Sequence, residues 1–237
     1  MRLSAPLYRL KRKARLLSRQ ENIPHHAALD RIAAEEGFGR WSLLAANMSA
    51  AGPARTLLGR LLPGDLLLVG ARPGHGKTLF SLELAVGAMK SGRRGAFFTL
   101  EYTEEHMLDR FRAIGADPMD FDGLFAFENS DAISADYIVA SLEAAPGGTL
   151  VVVDYLQLLD QKRENPALDI QVRELKSFAR ARGLILVFIS QIDRSYDALT
   201  KPFPGMGDVR LPNPLDLKLF DKACFLNDGE VRFQALN

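Results

Sequence analysis

The stretch Ala71-Arg-Pro-Gly-His-Gly-Lys-Thr78 has the pattern of a phosphate-binding loop. It follows an apolar run, Leu66–Val69, and opens a helical pattern, which is the strand–loop–helix context that such a loop requires. Its two glycines let the backbone curl so that N–H groups point at phosphate oxygens, and the helix adds its positive dipole end. One position departs from the usual pattern, because Ala71 stands where the first glycine is expected. The stretch predicts that this chain binds a nucleoside triphosphate through Ala71, Arg72, Pro73, Gly74, His75, Gly76, Lys77 and Thr78.

Two side chains of this loop have separate predicted tasks. Lys77 is expected to reach the β- and γ-phosphates, and the Thr78 hydroxyl is expected to lie on Mg²⁺.

From about residue 55 onward, apolar runs alternate with helical patterns. Such runs are typical of strands covered on both faces of a parallel sheet, so the sequence predicts an α/β fold. The strand candidates are 65–70, 96–100, 149–153 and 184–190, and the helix candidates are 77–91, 104–114, 134–144 and about 167–182. Two further strands, 222–227 and 230–236, flank the hairpin signal Asp228-Gly229.

Residues 1 to 50 have the pattern of a small helical module. One apolar stripe at helical spacing is formed by Leu3, Leu7, Leu10, Ala14 and Leu17. A second helix is expected to start at Pro24 and stop at Gly37, a third to include Trp41 and Leu44, and 49–53 to form a linker.

The first 20 residues contain seven basic side chains and no acid. That basic helix could bind nucleic acid, dock on a neighbouring subunit or present a solvated face.

Composition limits the class of protein. The chain has 237 residues, 25% of them charged, with a net charge of +1, which is ordinary for a globular protein. No apolar run approaches the ~18–20 residues that a membrane span needs, so no membrane partner is expected. The single cysteine, Cys224, fits a reducing cytoplasm. An arginine-rich start is also found in organelle transit peptides, but patterned helix continues over 24–48.

Polar residues end the predicted strands, where an open α/β sheet places its ligand site. Asp154 ends one strand and suits a carboxylate that supports Mg²⁺, or alternatively a helix cap. Glu101 ends another and could deprotonate the attacking water, or simply face solvent. Gln191 ends a third and could hydrogen-bond the γ-phosphate; periodicity alone leaves that role open.

Four segments together resemble the ATPase domain of DnaB-type replicative helicases, members of the RecA-like group. They are Gly-Asp-Leu-Leu-Leu-Val-Gly-Ala-Arg-Pro-Gly-His-Gly-Lys-Thr (64–78), Phe-Thr-Leu-Glu (98–101), Val-Val-Asp-Tyr-Leu-Gln-Leu-Leu (152–159) and Ile-Ser-Gln-Ile-Asp-Arg-Ser (189–195). They stand in the family's order and spacing, and the resemblance covers about residues 55 to 237. It implies a mostly parallel central sheet flanked by helices.

The resemblance also implies roles for single residues. Lys77 and Thr78 bind phosphate and Mg²⁺, Glu101 is the catalytic base, Asp154 supports the metal and Gln191 is the sensor. Asp208 and Arg210 match the Asp-x-Arg element that follows the family's second DNA-facing loop.

Three departures from the family stand out. Nothing here resembles its N-terminal primase-binding domain, and no Lys-x-Arg pair is present in the late strand that supplies an arginine to a neighbour's ATP site. Asp193 stands where the family usually has asparagine. An arginine acting in trans would then come from Arg210 or, with less support, Arg232. Loss of such an arginine can cost on the order of 10³-fold in rate.

The DNA-facing loops of the family map to about 160–172 and 193–208. Their basic residues are few, and they could equally be ordinary surface charges: Lys162, Arg163, Arg194 and Lys201. The expected function is Mg²⁺-dependent ATP hydrolysis coupled to binding or unwinding of single-stranded DNA, by a cytoplasmic homo-oligomer such as a hexamer. The alternative is a regulatory or assembly ATPase of the RecA/KaiC-like group without helicase activity.

Overall fold

The computed structural model describes residues 4–5, 7–45, 52–162, 164–197, 200–211 and 213–236. Contacts divide the chain into two compact units, Met1–Gly52 and Pro53–Asn237. The sequence patterns place a boundary between a helical module and an α/β domain near residue 50.

The first unit is built from two packed helices, α1 (Leu7–Gln20) and α2 (His25–Glu35), followed by a helical segment at 41–45. Four buried apolar residues form a core cluster between the helices: Leu10, Ala14, Ala28 and Ile32. Leu10 and Ala14 belong to the apolar stripe that the sequence predicts, whereas Leu3 lies outside the described residues. Asp30 accepts a hydrogen bond from the Trp41 backbone N–H at 2.8 Å, which holds the third segment on α2.

The second unit is a seven-stranded sheet flanked by helices. Its strands are β1 (Leu66–Ala71), β2 (Gly95–Thr99), β3 (Phe125–Glu128), β4 (Leu150–Asp154), β5 (Ile185–Gln191), β6 (Lys222–Asn227) and β7 (Glu230–Ala235). Its helices are α3 (Pro53–Leu58), α4 (Lys77–Lys90), α5 (Glu104–Ala113), α6 (Ala135–Ser141) and α7 (Leu168–Arg182). The strand order is β3-β2-β4-β5-β1-β6-β7, and every pairing is parallel except that of β6 with β7. The predicted α/β fold class is confirmed.

Alternate residues of the central strands enter two separate cores, one on each face of the sheet. On β5, Leu186 and Phe188 lie in one core, and Val187 and Ile189 lie in the other. Side chains of a strand point to opposite faces in turn, so a strand covered by helices on both faces must be apolar throughout. This explains why the central strands form continuous apolar runs in the sequence.

The structure differs from the sequence predictions at two boundaries and in one strand, besides shifts of a few residues at helix ends. Pro53, expected in the linker, begins helix α3, since proline is well tolerated in a first helical turn. The segment 160–172, onto which the first DNA-facing loop of the family maps, is not all loop, because α7 already begins at Leu168. The edge strand β3, which pairs with β2, is not among the strands that the sequence predicts.

The pairing register aligns the carboxyl ends of four neighbouring strands. Ala71 at the end of β1 lies opposite Gln191 at the end of β5. Asp154 at the end of β4 lies opposite Thr99 of β2 and Ile189 of β5. The candidate site residues therefore meet at one edge of the sheet.

Candidate nucleotide-binding site

The loop between β1 and α4 leaves backbone N–H groups available to an anion. Gly74 and Gly76 have φ values of 80° and 85°, a region that favours glycine, and no atom lies within 4 Å of a Cβ built on either. Gly76 is the N-cap of α4, and as a glycine it has no side chain that could occupy the N–H groups of the first turn. The first N–H groups of a helix have no partner within the helix, and the dipole there favours negative charge. The loop therefore has the backbone geometry of a phosphate cradle.

Lys77 extends across this loop. Its Nζ donates a hydrogen bond to the backbone carbonyl of Arg72 at 3.3 Å. Burial lowers the pKa of the Lys77 amine, and the carboxylates of Asp154 and Glu101 oppose that shift. A partly desolvated cation beside open N–H groups suits the charge of a polyphosphate.

Thr78 and Asp154 are joined by a hydrogen bond. The Thr78 hydroxyl donates to Asp154 Oδ2 at 2.9 Å. The Asp154 residue is only 2% exposed. Burial raises the pKa of the Asp154 carboxyl to about 7, the charge of Glu101 adds to the rise, and Thr78, Lys77 and Arg110 oppose it. The buried carboxyl thus lies beside a hydroxyl, in a place where a cation would stabilise its charged form.

These two oxygen-bearing side chains fit Mg²⁺ in one particular way. Within the described ranges, no group of three or more His, Cys, Asp or Glu side chains could hold a metal ion by itself. Mg²⁺ usually binds through one or two protein carboxylates together with waters and substrate phosphates. Thr78 and Asp154 match that sparse donor set, so they fit a metal that arrives with a nucleotide.

Glu101 lies at the same edge of the sheet, two residues after the end of β2. Its backbone N–H donates to the Thr99 hydroxyl at 3.0 Å, which fixes the turn that follows the strand. The Glu101 side chain is exposed, and its charge acts on both Lys77 and Asp154. It therefore remains accessible to a water molecule beside the loop.

Gln191 is bound to Arg210 by two contacts within the same chain. The Arg210 backbone N–H donates to the Gln191 carbonyl at 2.8 Å, and its guanidinium donates to Gln191 Oε1 at 3.3 Å. Gln157 Nε2 donates to the Arg210 carbonyl at 2.7 Å and to the Ser190 hydroxyl at 3.4 Å. Arg210 therefore lies beside the predicted sensor of its own subunit.

Arg232, the other candidate for an arginine in trans, lies over the ring of Phe203 at 4.6 Å.

The segment after β5 also contacts the phosphate loop. The Arg72 guanidinium lies 5.9 Å from the centre of the Tyr196 ring, and the Tyr196 hydroxyl donates to the Lys201 carbonyl at 2.7 Å. Lys201 in turn forms an ion pair with Asp208. Asp193, at the position where the family usually has asparagine, accepts a hydrogen bond from the Ser195 N–H at 2.9 Å.

Four residues around the site make contacts that the sequence does not predict. They are Arg72 and Tyr196, which contact each other, Arg110 and Gln157. Arg110 lies on α5 with its guanidinium 4.9 Å from the centre of the Tyr102 ring, and its charge opposes the rise in the pKa of Asp154. Gln157 belongs to the Asp-Tyr-Leu-Gln segment, so the family pattern is the signal that marks it. The contacts of the other three have no such signal in the sequence.

The chain is similar to proteins of known family. The AAA_25 family, described as an AAA domain, matches residues 38–194. The replicative DNA helicase DnaB of Synechocystis is 26% identical over 185 residues, which are 65% of this chain and 21% of that protein. The DnaB of Geobacillus stearothermophilus is 28% identical over 178 residues, which are 62% of this chain and 39% of that protein. The chain thus spans well under half the length of these relatives.

Solved structures show the same fold. The structure of a DnaB-like replicative helicase superposes with a TM-score of 0.59 at 22% identity, over 92% of this chain and 66% of that one. The KaiC-like protein PH0186 of Pyrococcus horikoshii gives a TM-score of 0.52 at 17% identity, over 70% and 74%. These superpositions show a shared RecA-like fold. The chain belongs to the AAA domain family of P-loop ATPases, and the DnaB replicative helicases are its homologues.

Proposed function

We propose that this chain binds ATP with Mg²⁺ and hydrolyses it at the edge of the sheet formed by the ends of β1, β2, β4 and β5. The observation that carries the proposal is the hydrogen bond from Thr78 to the buried Asp154, beside the half-buried Lys77. A buried carboxylate and a half-buried amine are costly unless they are paired with charge. A magnesium-bound triphosphate supplies the complementary charge to both.

The residues divide the work of hydrolysis among them. Lys77 and the N–H groups of the loop bind the phosphates. Thr78 and Asp154 would hold Mg²⁺, which would supply charge neutralisation at the phosphate oxygens. Glu101 accepts a proton from the attacking water. Gln191 hydrogen-bonds the γ-phosphate, and Arg210 positions Gln191 through the contact to its amide oxygen.

We further propose that hydrolysis is coupled to single-stranded DNA in a cytoplasmic homo-oligomer, such as a hexamer. Homology to proteins named replicative DNA helicases supports this part of the proposal. No helix of the described part of the chain is long and apolar enough to cross a membrane. The coupling to DNA could be either binding alone or unwinding.

A regulatory or assembly ATPase is the second candidate function. Two observations favour it: the late Lys-x-Arg pair is absent from the sequence, and Arg210 contacts the predicted sensor of its own chain. A subunit that completes its own site needs no neighbour for turnover.

One experiment separates the two functions. ATP hydrolysis is measured with and without single-stranded DNA, and the size of the assembly is measured with and without ATP. Strong stimulation by DNA supports the helicase-type function. Assembly that depends on ATP, with turnover indifferent to DNA, supports the regulatory function. Absence of hydrolysis under every condition, with the Lys77→Ala variant as the blank, would contradict both.

A further inference from the structure

Positive charge is concentrated in the first unit of the chain. Of the 30 lysines and arginines, nine lie in Met1–Gly52, against four of the 29 aspartates and glutamates. The ATPase unit is left with 21 basic and 25 acidic side chains and is therefore net negative. Affinity for a phosphate backbone comes largely from the counterions that basic side chains displace. The first unit, with its excess of basic side chains, is therefore better suited than the ATPase unit to bind such a backbone.

The basic residues that the family pattern places near DNA in the ATPase unit are partly paired with acids. Lys162 lies 3.5 Å from Asp131, and Lys201 forms an ion pair with Asp208. Arg194 is exposed, and Arg163 lies outside the described residues. Two of the three basic residues in the described part of these loops are therefore partly neutralised by an acid.

Helix α1 carries a stripe of three arginines on the face opposite its packed side. Leu10, Ala14 and Leu17 face the core that α1 shares with α2. Arg12, Arg15 and Arg19 follow one another at spacings of three and four residues, and all three are exposed. At 100° per residue, the arginine stripe is centred roughly 165° from the apolar one. The three guanidinium groups thus form one row over about 10 Å of helix.

The acids of the first unit are engaged away from this stripe. Glu21 pairs with Arg31, and Glu35 pairs with Lys13. Asp30 accepts a hydrogen bond from the Trp41 N–H, and Glu36 accepts one from the Ser4 N–H. In the described part of this unit, no carboxylate pairs with Arg12, Arg15 or Arg19. The stripe keeps its full positive charge.

We propose that the Arg12–Arg15–Arg19 stripe binds the phosphodiester backbone of single-stranded nucleic acid. A row of guanidinium groups matches a repeating phosphate chain, because each group can donate two hydrogen bonds to one phosphate. A membrane-surface helix would need an apolar face free to enter lipid, whereas the apolar face of α1 is packed on α2. This inference rests on the proposed function, which leaves the DNA contact unassigned, and the stripe supplies that contact outside the ATPase unit.

The test measures binding of the full chain to a fluorescently labelled oligo-dT strand over a series of salt concentrations, without nucleotide. The triple variant Arg12→Gln, Arg15→Gln, Arg19→Gln removes three phosphate contacts. Each contact to a single strand contributes about 0.7 to the slope of log affinity against log salt, so the slope should fall by about 2. At 0.1 M salt, that corresponds to affinity weaker by roughly 100-fold.

A matched control removes the same charge from the exposed surface of the ATPase unit: Lys90→Gln, Arg112→Gln and Lys218→Gln. It should change the slope far less than the stripe variant does. Arg12→Lys, Arg15→Lys and Arg19→Lys together should keep most of the slope, because the charge is retained. Circular dichroism tests whether each variant is folded. If the triple variant does not fold, the single variants Arg12→Gln and Arg19→Gln replace it, and each is expected to lower the slope by about 0.7.

A stripe variant with the same slope as the control would overturn the proposal. So would a wild-type chain that fails to bind the oligo-dT strand, whether or not it binds vesicles of phosphatidylserine. Because binding is measured without nucleotide and hydrolysis can be measured without DNA, failure of this proposal is distinguishable from failure of the proposed ATPase activity.

Discussion

Asp154 is the residue whose surroundings are hardest to explain without a ligand. It lies at the end of a central strand, and burial raises the pKa of its carboxyl to about 7. Thr78 offsets part of that cost through one hydrogen bond. A site that stabilised only the fold would gain more from an uncharged residue here, since buried charge is costly without full pairing. The carboxylate is better explained as a partner for a cation.

We predict that Asp154→Asn stabilises the metal-free protein increasingly as pH rises. A carboxyl whose folded pKa exceeds its unfolded value contributes stability that is fully present below pH 3.8 and is lost as pH rises through 7. The asparagine variant has no such loss. Between pH 4.5 and pH 8, its advantage in free energy of unfolding should therefore grow by about 3 kcal/mol.

Urea unfolding of both proteins without Mg²⁺, at each pH, measures this difference. The same variant should lose Mg²⁺-dependent turnover. An advantage that does not change with pH would show that Asp154 is not destabilised by burial, and intact turnover would show a structural capping role.

We predict that Lys77→Ala strongly weakens ATP binding. The variant removes the amine that extends across the phosphate loop, and the N–H groups of the loop remain. Affinity for ATP should fall at least about 100-fold, the order of two charge-assisted hydrogen bonds. Lys90→Ala, at the exposed end of the same helix, is the matched control and should bind ATP normally. Calorimetric titration with ATP and Mg²⁺ gives the affinities; equal affinities of the two variants would be incompatible with the assigned loop.

At the scale of single elements, the central strands are predictable from the sequence because they are apolar throughout. β3 is not, because Phe125–Glu128 is short and only half-buried, so it lacks a continuous apolar run. Helix α3 escapes prediction for a similar reason, since six residues are too few to show a helical period.

The candidate site is predictable where its residues end strands, as Asp154 and Gln191 do. Strand ends in a parallel sheet meet at one edge, so the sequence order and the fold class together bring them close. Contacts such as Arg72 with Tyr196 come from segments without periodicity, and their partners depend on the path of the loop between them. The position of Arg210 beside Gln191 likewise follows from the structure alone.

We predict that Arg210 acts within its own subunit. Its guanidinium contacts Gln191 of the same chain, which favours this arrangement over the action across an interface that the sequence indicates. Arg210→Ala should bind ATP normally and turn it over slowly. If each subunit uses its own arginine, a mixture of Arg210→Ala and Lys77→Ala subunits contains no complete site. The mixture should then hydrolyse ATP as slowly as each variant does alone.

Recovered activity in the mixed assemblies would contradict that prediction. It would mean that the arginine of a Lys77→Ala subunit completes the site of a neighbour. Arg232→Ala, altered at the other candidate arginine, is the matched control and should keep its turnover.

At the scale of the whole molecule, the excess of positive charge and the candidate nucleotide site lie in different units. The ATPase unit is net negative and carries the candidate nucleotide site, whereas the first unit carries an excess of basic residues. We expect the first unit to attach the chain to nucleic acid and the second unit to bind and hydrolyse ATP. Each unit can therefore be tested by a separate measurement.

Glu101→Gln tests the central claim, hydrolysis of ATP at this edge of the sheet, most directly. An amide keeps the shape of the carboxylate but cannot accept a proton, so ATP binding should stay at the wild-type level while turnover falls by about 10²–10⁴-fold. Glu104→Gln, an exposed glutamate at the start of α5, is the matched control and should hydrolyse ATP at the wild-type rate. Single-turnover hydrolysis and ATP titration are measured on the same preparations. Binding without turnover in Glu101→Gln is the predicted result, and hydrolysis by Glu101→Gln at the wild-type rate would contradict the claim.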